Sequence, residues 1–395
     1  VAILSLVSWT VGARAGQSPA DVEARIRRVE ANLRPIVRGT ASADPKTLAG
    51  RMKALGVPGV SVAVIDGGEV AWARGYGVKE VGDDDPVTPE TLFQAASISK
   101  PVAAVAALRL VERGALDLDA DVNESLTGWK VPEAAKFPDA KVTLRRLLSH
   151  SAGFGDRFGF PGYEAGATMP TLPQILDGLP PANTAPRAVR IEHEPGVAFR
   201  YSGGGYCVVQ MLIEEATGRP FAEHVADDVL GPTGMERSTF VQPLPEDRAK
   251  EAAAGHYGGL AMLAKGRAKV KGRWHVYPEQ AAAGLWTTPT DLARLAIAIQ
   301  RADAGAPGAV LGPEMADAML TPQRGGWGLG VGLSGEGTAA GFNHGGSNEG
   351  FICMLVAVRG CGQGAVVMTN SSSGGEIAME LLHAIAAEYD WTFEP

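Results

Sequence analysis

Cysteine is scarce in this chain: Cys207, Cys353 and Cys361 are the only three in 395 residues. An odd number leaves at least one thiol free, so no disulfide framework is expected. The lack of any C-x-x-C argues against a zinc knuckle or a thioredoxin-type centre. An excess of positive charge is also missing. The formal net charge is −8, which gives no electrostatic reason to expect nucleic acid as a partner. No stretch is long and apolar enough to span a bilayer, so stable membrane insertion is not expected. No G-x-S-x-G occurs, which excludes the strained strand-to-helix nucleophile turn built on that motif. Internal repeats are absent. What remains is an ordinary globular composition, 45% hydrophobic and 20% charged, long enough for one large domain or two smaller ones.

The richest stretch runs from Phe93 to Gly114. Residues 102–111 are apolar on nearly every face, which predicts a buried helix whose alanines let other backbone approach. Gly114 stands where a left-handed cap would end it. Pro101 fits only the first turn, which sets the helix start near Ser97. Ser97 and Lys100 are three apart and so share a face. A hydroxyl at a helix N-terminus beside a buried amine is a nucleophile with a proton acceptor, and the free N–H groups there suit an oxyanion. S-x-x-K alone is common by chance. Its position at the head of the most apolar helix is what makes Ser97 and Lys100 candidates.

Two further elements join them. Tyr201-Ser202-Gly203 lies between a loop and a helix, and Tyr201 could relay a proton beside a cationic amine. His344-Gly345-Gly346-Ser347 precedes a predicted strand, where glycines admit close approach of backbone to a ligand. At a cleft edge the Ser347 N–H would be a second oxyanion donor, opposite that of Ser97. His150 sits beside serines, but neighbours on a helix do not face each other, so it is expected to be a hydrogen-bonded core residue.

The rest of the chain supplies the scaffold. Residues 1–15 resemble the apolar core of a secretory signal with Ala13-Arg14-Ala15 as cleavage site, the alternative being an N-terminal arm; a periplasmic or secreted location follows from the first reading. Ser18-Pro19-Ala20-Asp21 starts a helix. Residues 39–46 resemble a linker, and Leu48, Met52 and Leu55 mark a second helix. Residues 60–76 form a hairpin around Asp66-Gly67-Gly68. The acidic run 116–121 lacks the glycine and glutamate of a calcium loop and is a solvated turn. Residues 154–199 should be loops at the mouth of the site. Lys265, Arg267, Lys269, Lys271 and Arg273 alternate as on the solvated side of a hairpin, with anionic-substrate contact as the lesser reading. Strands at 350–358 and 365–369 and a helix at 375–389 close the chain. Sheet material at both ends with helices between implies an α+β fold and a cleft where the parts meet.

The spaced motifs resemble those of the serine β-lactamases and penicillin-binding proteins. Ser97-Ile98-Ser99-Lys100, Tyr201-Ser202-Gly203 and His344-Gly345-Gly346 follow the order of S-x-x-K, Y-x-N and K-T-G. Stretches 147–154, 230–235 and 283–293 are similar to the class C-related branch, which includes the family VIII carboxylesterases and D-aminopeptidases. The resemblance covers about residues 45–390. It implies an antiparallel sheet flanked by helices plus a mainly helical subdomain, in one catalytic domain over 16–395: an α/β part at about 16–92 and 283–395, and a helical and loop part at about 93–282. It implies a serine hydrolase without metal or cofactor, in which Ser97, Lys100 and Tyr201 are catalytic and the Ser97 and Ser347 amides hold the oxyanion. Gly203, His344, Gly345 and Gly346 would bind a small ester or amide. Gly203 replaces the asparagine of Y-x-N and His344 the lysine of K-T-G, which favours short-chain esters over β-lactams. A D-amino-acid peptidase or amidase, a weak β-lactamase and a penicillin-binding sensor without turnover are the alternatives. Oligomeric state is not legible.

Overall fold

The computed structural model describes residues 18–391 except 35, 38–39, 42–43, 157–158 and 267. The signal-like segment and part of the 39–46 linker lie outside the described residues.

Six strands form one antiparallel sheet: β1 (Gly59–Asp66), β2 (Glu69–Gly77), β3 (Gly332–Ser334), β4 (Gly341–Asn348), β5 (Phe351–Val358) and β6 (Gln363–Thr369), in the order β2-β1-β6-β5-β4-β3. The hairpin from the N-terminal part thus closes onto the last strand, with Val60 opposite Thr369. Alternation sorts the side chains to two faces. Val60, Val62 and Val64 of β1, Val356 of β5, and Ala365 and Val367 of β6 point to one core. Helices α1 (Pro19–Ala31), α2 (Leu48–Leu55) and α7 (Gly374–Glu388) lie over it.

Ala63, Ile65, Leu355, Val366 and Met368 point to the other and larger core. That core holds α3 (Ser99–Glu112), α4 (Gly203–Thr217), the single turn α5 (Gln280–Ala283) and α6 (Pro289–Asp303). The local chemistry explains the ends. Ser18 and Asp21 form a reciprocal capping box for α1. Gly114 adopts φ 69° after α3, as its place in the sequence requires. In α3, residues Val102 to Leu108 are all fully buried, so the helix is a core element rather than a surface one.

The basic run at 265–273 forms no full strand, but it does return antiparallel beside residues 255–257: Lys269 bridges His256, Tyr257 N donates to Ala268 O and Val270 N donates to Gly255 O. Gly259–Lys265 is a short helix that exposes Leu260 and Leu263, and three lysines at its end and beyond it reach acids elsewhere. Lys265 pairs with Glu349, Lys269 with Glu80 and Lys271 with Glu164. These lysines remain largely solvent-exposed, so the pairs contribute little to stability and the run keeps its solvated face. All three cysteines are free, Cys207 and Cys353 buried and Cys361 exposed. No described helix is long and apolar enough to cross a membrane.

Candidate active site

A short two-stranded pair, Phe93–Gln94 against Trp286–Thr287, fixes the approach to the site. The chain then makes a single turn, Ala96–Ile98, and enters α3 at Ser99. Ala96 stands at φ 50°, a costly position for a residue with a side chain. Ser99 ties the turn down: its Oγ donates to Ala96 O at 2.5 Å and accepts from Leu285 N at 3.0 Å. Ser97 therefore projects from a bend that is held on both sides.

Lys100 lies one turn on and is 2% exposed. Its Nζ donates to Ser97 Oγ at 3.0 Å and to Ala282 O, in α5, at 2.8 Å. It also sits over the Tyr201 ring, 5.0 Å from the centroid, and over Tyr206 at 5.5 Å. Tyr201 is 39% exposed and shows its ring to Lys100 Nζ.

The Tyr201 ring is set by His150. The two rings stack at 4.2 Å. Arg200 N donates to His150 O at 2.6 Å, and Ser202 N donates to His150 Nδ1 at 3.1 Å. The backbone on both sides of Tyr201 is thus held by one histidine, itself at φ 53° and 1% exposed. Burial, and then the charge on Lys100, push the His150 pKa well below the ordinary value. A neutral ring is what an Nδ1 acceptor requires. His150 is a core residue, as its sequence context predicts, and it is also the seat of Tyr201.

Ser97, Lys100, Tyr201, Gly203 and Ser347 line one pocket of about 460 Å³. His344 does not line it. It is 2% exposed and packs behind Trp327 and Tyr201, with centroids at 5.4 and 6.3 Å. Its Nδ1 donates to Gly345 O at 2.6 Å, and burial, followed by the Lys100 charge, lowers its pKa to about 3. The expectation was that His344 binds substrate; the structure instead places it off the pocket lining, its ring buried on the face of β4 that packs toward the Ser97 turn, while Ser347 is exposed. Gly345 and Gly346 are likewise absent from the lining, and their segment is not a loop ahead of a strand but part of β4, which reaches the pocket through Ser347 and Asn348. Gly346 has a different reason to be glycine. A Cβ there would overlap the Ala95 carbonyl oxygen, in the segment that leads to Ser97.

Several site residues escape sequence reading. Asp156, 4% exposed, accepts from Gly204 N at 2.6 Å, and burial raises its pKa. Asn348 Nδ2 donates to Gln94 Oε1 at 3.0 Å and Ala283 O at 3.1 Å, bracing β4 against α5. Phe160 and Phe199 supply aromatic walls. Only their place in an aperiodic stretch expected at the mouth hinted at Asp156 and Phe160. Among the described residues no group of three or more His, Cys, Asp or Glu could hold a metal ion.

The Beta-lactamase family matches residues 45–389. The chain belongs to that family. It is 28% identical over 199 residues to Penicillin-binding protein 4* of Bacillus subtilis, covering 50% of this chain and 41% of that one. It is 31% identical over 224 residues to Esterase EstB of Burkholderia gladioli, covering 52% and 55%. The chain thus spans about half the length of these curated relatives. Among solved structures, SurE with D-Leu superposes with a TM-score of 0.67 at 25% identity, covering 88% of this chain and 75% of SurE. This Beta-lactamase family member therefore has the β-lactamase/transpeptidase-like α+β fold, with the antiparallel sheet and the flanking helices that its motifs imply.

Proposed function

We propose that the chain cleaves carboxylic esters of short acyl chains through an acyl-enzyme on Ser97. The observation that carries this is the 3.0 Å contact between Lys100 Nζ and Ser97 Oγ on the floor of an open pocket. Ser97 Oγ attacks the ester carbonyl, and its proton passes into the Lys100–Tyr201 pair. The backbone N–H groups of Ser97 and Ser347 hold the oxyanion. Collapse breaks the acyl C–O bond, and the alcohol leaves with that proton. Water then attacks the acyl carbon and gives its proton to the same pair. Ser97 recovers a proton as the carboxylic acid departs.

Gly203 offers no side-chain amide, and the buried His344 offers no cation, to grip a β-lactam. The likeness to a protein named an esterase points the same way. A D-amino-acid amidase or peptidase is the second reading, favoured by the likeness to a SurE structure that holds D-Leu. The test is a panel of p-nitrophenyl acetate and butyrate, D-alanyl anilide and nitrocefin, with mass spectrometry of the labelled protein. The expected result is ester turnover with the adduct on Ser97, and only residual activity in Ser97→Ala. Normal turnover by Ser97→Ala overturns the nucleophile. A kcat/KM for nitrocefin or the anilide at or above that for the esters overturns the ester preference, and a stable penicilloyl adduct without ester turnover makes the chain a sensor.

A further inference from the structure

Gly203 opens α4 and is not among the residues of positive φ, so its backbone does not call for glycine. Space does. A Cβ at Gly203 would lie 2.6 Å from Phe160 Cε2 and 3.2 Å from Phe160 Cδ2. The loop that carries Phe160 is anchored at the same helix end, because Asp156 Oδ2 takes the Gly204 N–H. At Gly204, a Cβ would meet Val189 Cγ2, so the loop and its neighbours close over the first turn of α4. Phe160 packs against the larger core at its base and lines the pocket with Ser97, Phe199 and Ala283. Two residues from Tyr201, where a polar side chain could have projected, the pocket wall carries an aromatic ring instead.

We propose that Phe160 is a specificity-determining residue. Its ring, admitted by the missing side chain of Gly203, forms with Phe199 an apolar wall. That wall binds an apolar substituent of the substrate and disfavours groups that need a polar partner there. This deepens the ester-hydrolase reading and rests on it for the reaction, though not for the shape of the pocket. Each methylene group laid on such a wall adds about fourfold to kcat/KM.

The experiment compares wild type, Phe160→Ala, Phe160→Leu, Gly203→Asn and the Phe160→Ala/Gly203→Asn pair. One arm lengthens the acyl group from acetate to butyrate at constant p-nitrophenol. A second lengthens the alcohol at constant acetate. A third follows the rate at which alkyl phosphonates of increasing chain length label Ser97. The expected result is a gradient of about fourfold per methylene in wild type and in Phe160→Leu, flattened in Phe160→Ala. The acyl or the alcohol arm, whichever flattens, names the substituent that the wall holds. Gly203→Asn alone should lose turnover of every ester, and the pair should regain acetate turnover without the gradient. A gradient unchanged in Phe160→Ala across all arms overturns the proposal, as does a pair no better than Gly203→Asn alone. Phosphonate labelling reads the wall without ester turnover. If no ester is cleaved but labelling loses its chain-length dependence in Phe160→Ala, the wall stands and the ester reading falls.

Discussion

Tyr201 owes its place to His150, which stacks on its ring and holds the backbone before and after it. His150→Ala should therefore act through Tyr201, lowering kcat with little change in KM. The check is that the added loss from His150→Ala in a Tyr201→Phe background is smaller than in wild type. Lys100→Arg and Tyr201→Phe should each lower kcat by roughly 10²-fold or more, the scale of general-base loss, with folding retained. A guanidinium is forked and cannot take up a proton where the site holds the Lys100 nitrogen between Ser97 Oγ and Ala282 O. The pH profile separates this scheme from a histidine base. With its pKa at about 3, His344 is neutral throughout the working range. A limb near about 6.5 in kcat/KM, the ordinary histidine range, that disappears in His344→Phe would put a histidine into the proton path.

At the scale of elements, what matters is where β4 meets the Ser97 turn. Gly346 lets the strand lie against the Ala95 carbonyl, so Gly346→Ala must push the two apart and shift Ser97 relative to Ser347. A cost of about 1–3 kcal/mol in stability is expected, with a larger proportional loss of activity, read by thermal melts beside ester kinetics. Unchanged kinetics would mean that β4 does not help to build the site. This contact also marks what the sequence could and could not reveal. The capping box of α1, the hairpin at Gly67 and Gly68, and the apolar run of α3 are local, and their residues specify them directly. Ser97, Lys100 and Tyr201 were legible because residue type and spacing mark them. His344 was legible as part of a motif, but its burial was not, since that depends on which face of β4 it takes. Asp156, Phe160 and Asn348 carry no spacing signal. They matter through contacts made across long stretches of chain: Asp156 to Gly204, Phe160 to Gly203, Asn348 to Gln94. The basic run at 265–273 was legible only in part: its antiparallel pairing with 255–257 is present, but the helix Gly259–Lys265 that separates the two segments was not foreseen.

At the scale of the whole molecule, buried titratable groups set opposing limits on stability. His150, His224, His256 and His344 all have pKa values lowered chiefly by burial. The unfolded chain takes up protons on these histidines below about 6.5, while the folded chain resists. Their contribution is present above that pH and is lost as pH falls from there through each folded pKa, which for His344 is about 3. Glu279 has the opposite sign. It is 1% exposed, and burial raises its pKa to about 8. The folded state keeps its proton where the unfolded state releases it, at about 4.3. Its stability contribution is therefore complete below about 4.3 and is lost as pH rises to about 8. Glu279 stands immediately before α5, and its carbonyl accepts from Ala282 N and Ala283 N. Charging its side chain would strain the turn whose Ala282 carbonyl holds Lys100. Glu279→Gln keeps the shape and cannot ionise. The variant should lose less Tm than wild type between about pH 6 and about pH 9, and should retain activity to higher pH. Parallel Tm curves for the two proteins across that range would show that Glu279 is not the group that limits alkaline stability.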